Sequence, residues 1–172
     1  LNINPKLLEV KYDQDDEILF TETDLSRRIN ITSSRDSLNG YQKGKCFYCR
    51  KGIRIEKSGD GDIVDVDHFF PHTLLTELPE VNINGVWNLV LACQECNRGT
   101  GGKFERIPKI QFLERLHARN EYLINSHHPL RETIINQTGK DTPKRIKFLQ
   151  QMDQKAIEII PTRWSPPEAH EG

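Results

Sequence analysis

The sequence predicts an α+β fold: a small strand-and-helix unit stapled by a metal ion, followed by a mainly helical region. Three observations point there. All four cysteines fall in two CxxC pairs, Cys46/Cys49 and Cys93/Cys96. Between them, alternating apolar residues separated by turn residues read as paired strands. Beyond residue 104 the apolar spacing turns helical. The chain divides accordingly into an acidic lead-in, 1–34, a stapled central domain, 35–106, and a helical C-terminal extension, 107–172, packed on that core.

Residues 1–30 hold short apolar clusters (Leu7, Leu8, Val10; Ile18, Leu19, Phe20) without a clear period. Arg35 to Lys43 suits a short helix leading through Gly44 to the first knuckle. GIRIEKSGDGDIVDVDHF reads as a hairpin, with Ile53 and Ile55 on one strand, Ile63 and Val66 on the other, and SGDGD as the turn. His68 then stands at a strand end. Residues 71–86 form a loop with turn signals at Pro79 and at Asn84-Gly85, and Trp87 to Leu91 is a short apolar run. A helix after Cys93 carries Asn97. Ile110, Leu113, Leu116 and Leu123 share a helix face that His127-His128-Pro129 ends. Leu130 to Ile135 is a further short helix. Thr142 as N-cap with Pro143 in the first turn starts a last helix, with Ile146, Leu149 and Met152 on one face. TRWSPPEAHEG reads as a frayed end. There is no internal repeat.

A hydrophobic fraction of 35% and a charged fraction of 28% describe a small core that needs staples. The net charge of -1 does not mark a nucleic-acid binder, but its distribution is uneven. Asp13, Asp15, Asp16, Glu17, Glu22 and Asp24 make the lead-in acidic. Lys43, Lys45, Arg50, Lys51, Arg54 and Lys57 surround the first knuckle, and Arg98, Lys103, Arg106, Lys109, Arg115 and Arg119 follow the second. If the knuckles meet, these stretches converge on a face that attracts phosphates; the plainer reading is a solvated surface. No stretch approaches the roughly 18 apolar residues of a membrane span, and no leader resembles a signal peptide. The expected location is a reducing cytoplasm, where paired CxxC motifs hold metal rather than disulfides. A start at Leu1 rather than Met points to a fragment or processed chain.

Two CxxC pairs offer the four thiolates of a tetrahedral structural Zn2+ site. A redox couple needs one pair, not two. Asp67 and His68 lie between the knuckles, and Asn97 directly follows Cys96. A carboxylate and an amide oxygen suit a hard ion such as Mg2+ or Mn2+, leaving His68 free as general base on a water. Arg98 and Lys103 are candidates for substrate phosphate, with solvated surface as the alternative. No acidic residue precedes His72; His127 and His128 fit a polar loop; Trp87, Phe47 and Tyr48 fit packing; Asp60, Asp62 and Asp65 lack the closing Glu of a calcium loop and read as turn residues.

CFYC, DVDHFFP and WNLVLACQECNRG, in that order, resemble the HNH endonuclease family, in its four-cysteine zinc subtype. The resemblance covers about residues 35–105. It implies a ββα-metal finger with His68 as general base and Asp67 and Asn97 as ligands of the catalytic divalent ion. It further implies that Asn88 holds the loop and positions the histidine. Asn97 stands where many members carry His. The activity implied is hydrolysis of DNA phosphodiesters, leaving a 3'-hydroxyl and a 5'-phosphate. One such centre cuts one strand, so a double-strand break needs a homodimer or two nicks. Restriction or phage defence is the associated setting. The alternatives are a non-catalytic zinc module that binds nucleic acid or protein, and a nuclease subunit of a larger defence complex.

Overall fold

A computed structural model describes residues 10–13, 18–21, 28–30, 38–54 and 64–167. It is a mixture of helices and small sheets, as an α+β chain requires. The lead-in forms an antiparallel meander of three short strands, β1 (Val10–Asp13), β2 (Ile18–Thr21) and β3 (Arg28–Asn30), in the order β1-β2-β3. No strand was expected there. The clusters are too short to show a period, yet Ile, Leu, Phe and Tyr suit a strand once neighbours pair with it.

Residues 38–42 form a short helix, α1. It ends where Lys43 and Gly44 take positive φ (51° and 77°), and Asn39 Oδ1 accepts the Gly44 amide at 2.7 Å. The first knuckle is closed by a bridge between Lys45 and Gly52 and by the Cys46 amide on the Lys51 carbonyl. The main strand pair is antiparallel: β4 (Asp65–His68) on β5 (Leu89–Ala92), with Asp65 opposite Ala92 and His68 opposite Leu89.

Of the expected hairpin between 53–55 and 63–66, residues 55–63 lie outside the described residues; within them the Val64 amide bonds the Arg54 carbonyl at 3.0 Å. The run Leu89-Val90-Leu91-Ala92 is buried throughout, so it sits inside and takes β4 as its partner. Single helical turns at His72–Leu75 and Val86–Asn88 fill the connection. Helix α2 (Gln94–Arg98) follows β5 at once.

The C-terminal region holds α3 (Ile110–Asn125), α4 (Arg131–Thr138) and α5 (Thr142–Ile159), framed by β6 (Ile107–Pro108) and β7 (Arg163–Trp164), which pair in parallel. Three expectations shift. Ile110 and Ile146 are exposed, and the buried faces run through Phe112, Leu116 and Leu123 and through Leu149, Met152 and Ala156. Asp141, not Thr142, caps α5, its Oδ1 accepting the Lys144 amide at 2.9 Å. The expected fraying fails at Trp164, which is buried, donates Nε1–H to Gly101 at 2.8 Å and packs edge-on against Tyr48. Residues 168–172 lie outside the description. Among the described residues, no helix is long and apolar enough to cross a membrane.

One core runs from Leu38 to Trp164, so the extension and the stapled unit share it. Arg119 of α3 pins the join. It is fully buried, donating to the carbonyls of Leu89 (2.7 Å), Val86 (3.1 Å) and Trp87 (3.1 Å) and to Asn120 Oδ1 (2.9 Å). Burial pushes its pKa down to about 10, still far above neutrality, so it stays a cation. The sequence placed Arg119 in a phosphate-facing stretch; instead its charge is spent on the turn that carries Asn88. Arg119→Met keeps much of the volume but leaves those carbonyls without their donor. Urea denaturation is expected to show a loss of about 3 kcal/mol; a change within about 0.5 kcal/mol would match an ordinary surface site and contradict this role.

Candidate metal centre and active site

Both knuckles present their sulfurs from backbone turns. Cys46 and Cys49 flank a tight loop in which the Arg50 amide bonds the Cys46 carbonyl at 3.0 Å and Arg50 takes a φ of 62°. Cys93 caps α2 and Cys96 lies in its first turn. All four thiols are buried, and their Sγ atoms lie within 4.8 Å of one another. The Cys49–Cys93 separation is 3.8 Å. A tetrahedron with metal–sulfur bonds of about 2.3 Å has edges of about 3.8 Å. Three backbone amides point at sulfur, each at 3.4 Å: Lys51 on Cys49, Cys93 on Cys46 and Cys96 on Cys93. Such donors stabilise thiolates. The thiols also conflict with one another. The bond from Cys46 lowers Cys49 to about 7, while bonds with Cys46, Cys49 and Cys93 hold Cys96 protonated. A bound cation removes that conflict by letting all four ionise. The four sulfurs are therefore close enough together that one metal ion could be held among them.

Asp65 and Asp67 leave β4 on one face, as i and i+2 must. Asp67 is buried, and its Oδ2 accepts from Tyr48 Oη at 2.6 Å and lies 3.3 Å from Lys103 Nζ. Burial, then the charge of Asp67, pushes Tyr48 well above its usual pKa, so it stays a donor. Lys103 has 0% exposure and donates to the His68 carbonyl at 2.8 Å. Burial lowers its pKa while Asp67 raises it. Its expected role on substrate phosphate is corrected: the loop after α2 turns back, with the Lys103 amide on the Cys96 carbonyl at 2.6 Å, and carries the side chain inward. That loop needs glycine. A Cβ at Gly99 would meet Glu95 Cα at 2.8 Å, and one at Gly102 would meet the Gly99 carbonyl oxygen at 2.8 Å.

Asn97 donates to Asp65 Oδ2 at 3.0 Å, and Arg98 forks onto both Asp65 oxygens at 3.0 and 3.3 Å. The direct neighbour of Asn97 is thus Asp65, which the sequence reading set aside as a turn residue. The alternation in Asp65-Val66-Asp67 was the available signal. Arg98 remains exposed but already has a carboxylate. Of the two ligands expected for a divalent ion, Asn97 therefore touches Asp65, while the contacts of Asp67 run to Tyr48 and Lys103. The Tyr48 and Lys103 contacts of Asp67 both fall on Oδ2.

His68 leaves the strand on the other face. It is half-buried, with Nε2 2.8 Å from Asn84 Oδ1 and its ring 5.2 Å from that of His72. Burial lowers its pKa, with the Asn84 bond opposing, so the ring is neutral near pH 7. With Asn84 Oδ1 as acceptor, Nε2 carries the proton and Nδ1 is the basic nitrogen. Asn84 and His72 were not singled out as partners of His68, and nothing local in the sequence ties Asn84 to it. Asn88 is fully buried: its Oδ1 accepts the Phe70 amide at 2.8 Å, and its Nδ2 donates to the carbonyls of Phe70 (2.9 Å) and Ile83 (2.8 Å). It therefore locks the chain just beyond His68.

Compared with family models, curated proteins and solved structures, the chain matches none.

Cys93 is both a sulfur ligand and the cap of α2. Cys93→Ser is expected to lose the bound metal and lower the melting temperature by more than about 10 °C, given the roughly 10–16 kcal/mol that structural metal sites contribute. Metal analysis and a thermal melt check this, and a native melt would contradict it.

Proposed function

We propose that the chain is a metal-dependent endonuclease of the HNH type, hydrolysing DNA phosphodiesters, with Zn2+ as the structural ion of the cysteine cluster and a ββα-metal finger formed by β4, β5 and α2. The observation that carries this reading is the Asn88 clamp: its three bonds hold the Phe70 backbone and so fix the strand end that bears Asp67 and His68. That is the role the resemblance assigns to this asparagine.

In the proposed reaction a phosphodiester lies across the end of β4, where its two flanks meet Asp67 on one side and His68 on the other. His68 Nδ1 takes a proton from the attacking water, and the Nε2–H bond to Asn84 keeps the ring oriented. Asp67 and Asn97 would hold a Mg2+ or Mn2+ ion, which polarises the phosphate and stabilises the departing oxygen when bound. Lys103 pairs with the Asp67 carboxylate and anchors the His68 carbonyl, acting as a positioning residue. Arg98 balances Asp65 beside Asn97.

A second reading is a non-catalytic zinc module. One observation favours it: the Lys103 ammonium already supplies a positive charge to Asp67, 3.3 Å away.

Nicking of supercoiled plasmid with Mg2+ or Mn2+ separates the two. Loss of the general base in His68→Ala is expected to slow cutting by about a hundred- to ten-thousand-fold, whereas exposed His72→Ala stays within a few-fold of wild type. Equal cutting by wild type and His68→Ala removes His68 from the mechanism, and no cutting by either ion-loaded protein favours the module.

A further inference from the structure

A cavity of about 320 Å3 opens between α1, the first knuckle and α3, on residues the reaction above does not use. Lys43, Lys45, Arg50 and Arg115 contribute to its lining, and so do Tyr41 and Tyr122. No acidic residue lines it among the described residues. That is unusual for this molecule, where Lys51 finds Glu95, Arg98 finds Asp65 and Arg145 finds Glu121. Four cations gathered without a carboxylate repel one another until an anion joins them. Arg115 reports the crowding: burial, then the charge of Arg50, lowers its pKa.

The cavity is preformed. Gln42, buried at its base, bonds the Leu91 peptide from both ends of its amide, at 2.8 and 3.0 Å, and so ties α1 to β5. Arg115 donates to the carbonyls of Phe47 and Tyr48, and its guanidinium lies 5.0 Å from the centre of the Phe112 ring. Tyr41 and Tyr122 form one wall, with ring centres 5.8 Å apart, and Tyr122 is 42% exposed. The two rings are inclined at 59°, so the cavity offers the exposed Tyr122 ring as an aromatic face and a cluster of cations within the span of one small ligand. Sites for such ligands measure about 300–1,000 Å3, and this one lies at the small end.

We propose that this cavity binds one unpaired nucleotide of a nucleic acid strand, with the base stacked on the Tyr122 ring and the phosphate held by Lys43, Lys45, Arg50 and Arg115. A charged groove lined with stacking rings is the general solution for single-stranded nucleic acid. Duplex DNA keeps its bases stacked inside and offers the cavity phosphate alone. The proposal stands apart from the nuclease reading, since binding here needs neither His68 nor a divalent ion.

The test is fluorescence anisotropy of a short labelled oligothymidylate on the full chain, without added Mg2+, compared with a duplex of equal length and with inorganic polyphosphate as a non-aromatic anion. The single strand is expected to bind tightest. Tyr122→Ala should weaken it about tenfold, the scale of one lost base stack. Arg50→Gly, which suits the left-handed backbone at that position, should weaken it and flatten its salt dependence. Binding is read without Mg2+ and cutting only with it, so failed cutting and failed binding are distinguishable. Equal binding of duplex or polyphosphate, or an unchanged affinity in Tyr122→Ala, would overturn the nucleotide assignment, and Tyr122→Ala suffices if Arg50→Gly does not fold.

Discussion

Four sulfurs held within 4.8 Å of one another constrain everything around them. They join the first knuckle to the end of β5 and the start of α2, segments far apart in the chain. With those ends tied, the Phe47 amide reaches the Leu91 carbonyl at 2.9 Å, and β4 is left to pair with β5 along its whole length. Helix α2 is one short turn and a half; on its own it would not persist in water. Its position on β4 depends on the cysteine that caps it and the cysteine inside it. Asn97 and Arg98 follow those sulfurs directly, which is why they come to rest against Asp65.

Around this clasp the molecule buries charge to an unusual degree for a small core. Lys103 and Asp67 lie together with Tyr48 as a third member, and Arg119 is satisfied by carbonyl oxygens and one amide rather than by an acid. A buried pair of this kind adds little net stability over apolar packing, but loss of one partner is costly because it strands the other. Its value lies in position. Lys103 joins the carboxylate of Asp67 to the backbone of His68, and Arg119 holds the turn from which Asn88 reaches Phe70. The proposed phosphodiester cleavage asks for groups fixed before the substrate arrives, and these buried contacts would do the fixing.

Much of this was legible in the sequence where chemistry is local. Paired CxxC spacing announced the cluster, and Asp67, His68 and Asn88 could be singled out because they sit in short strings with the right residue types in order. The helices after residue 109 followed from spacing. What escaped detection depended on tertiary context. Lys103 and Arg119 look like surface cations in a basic stretch; only the fold turns them inward. Asp65 looked like part of a polar turn until α2 packed beside it. Asn84 reaches His68 across a loop whose path no local pattern specifies. The pairing of β4 with β5, and of β6 with β7 across the whole helical extension, are long-range choices that alternation alone does not reveal.

The claim at the centre is that one zinc ion held by four thiolates assembles the proposed catalytic strand and helix. X-ray absorption at the zinc edge of the purified, folded chain tests it most directly. Four sulfur neighbours at about 2.3 Å, with no nitrogen or oxygen in the shell, are the expected result. A folded sample without zinc, or a shell in which histidine or water replaces sulfur, would contradict it.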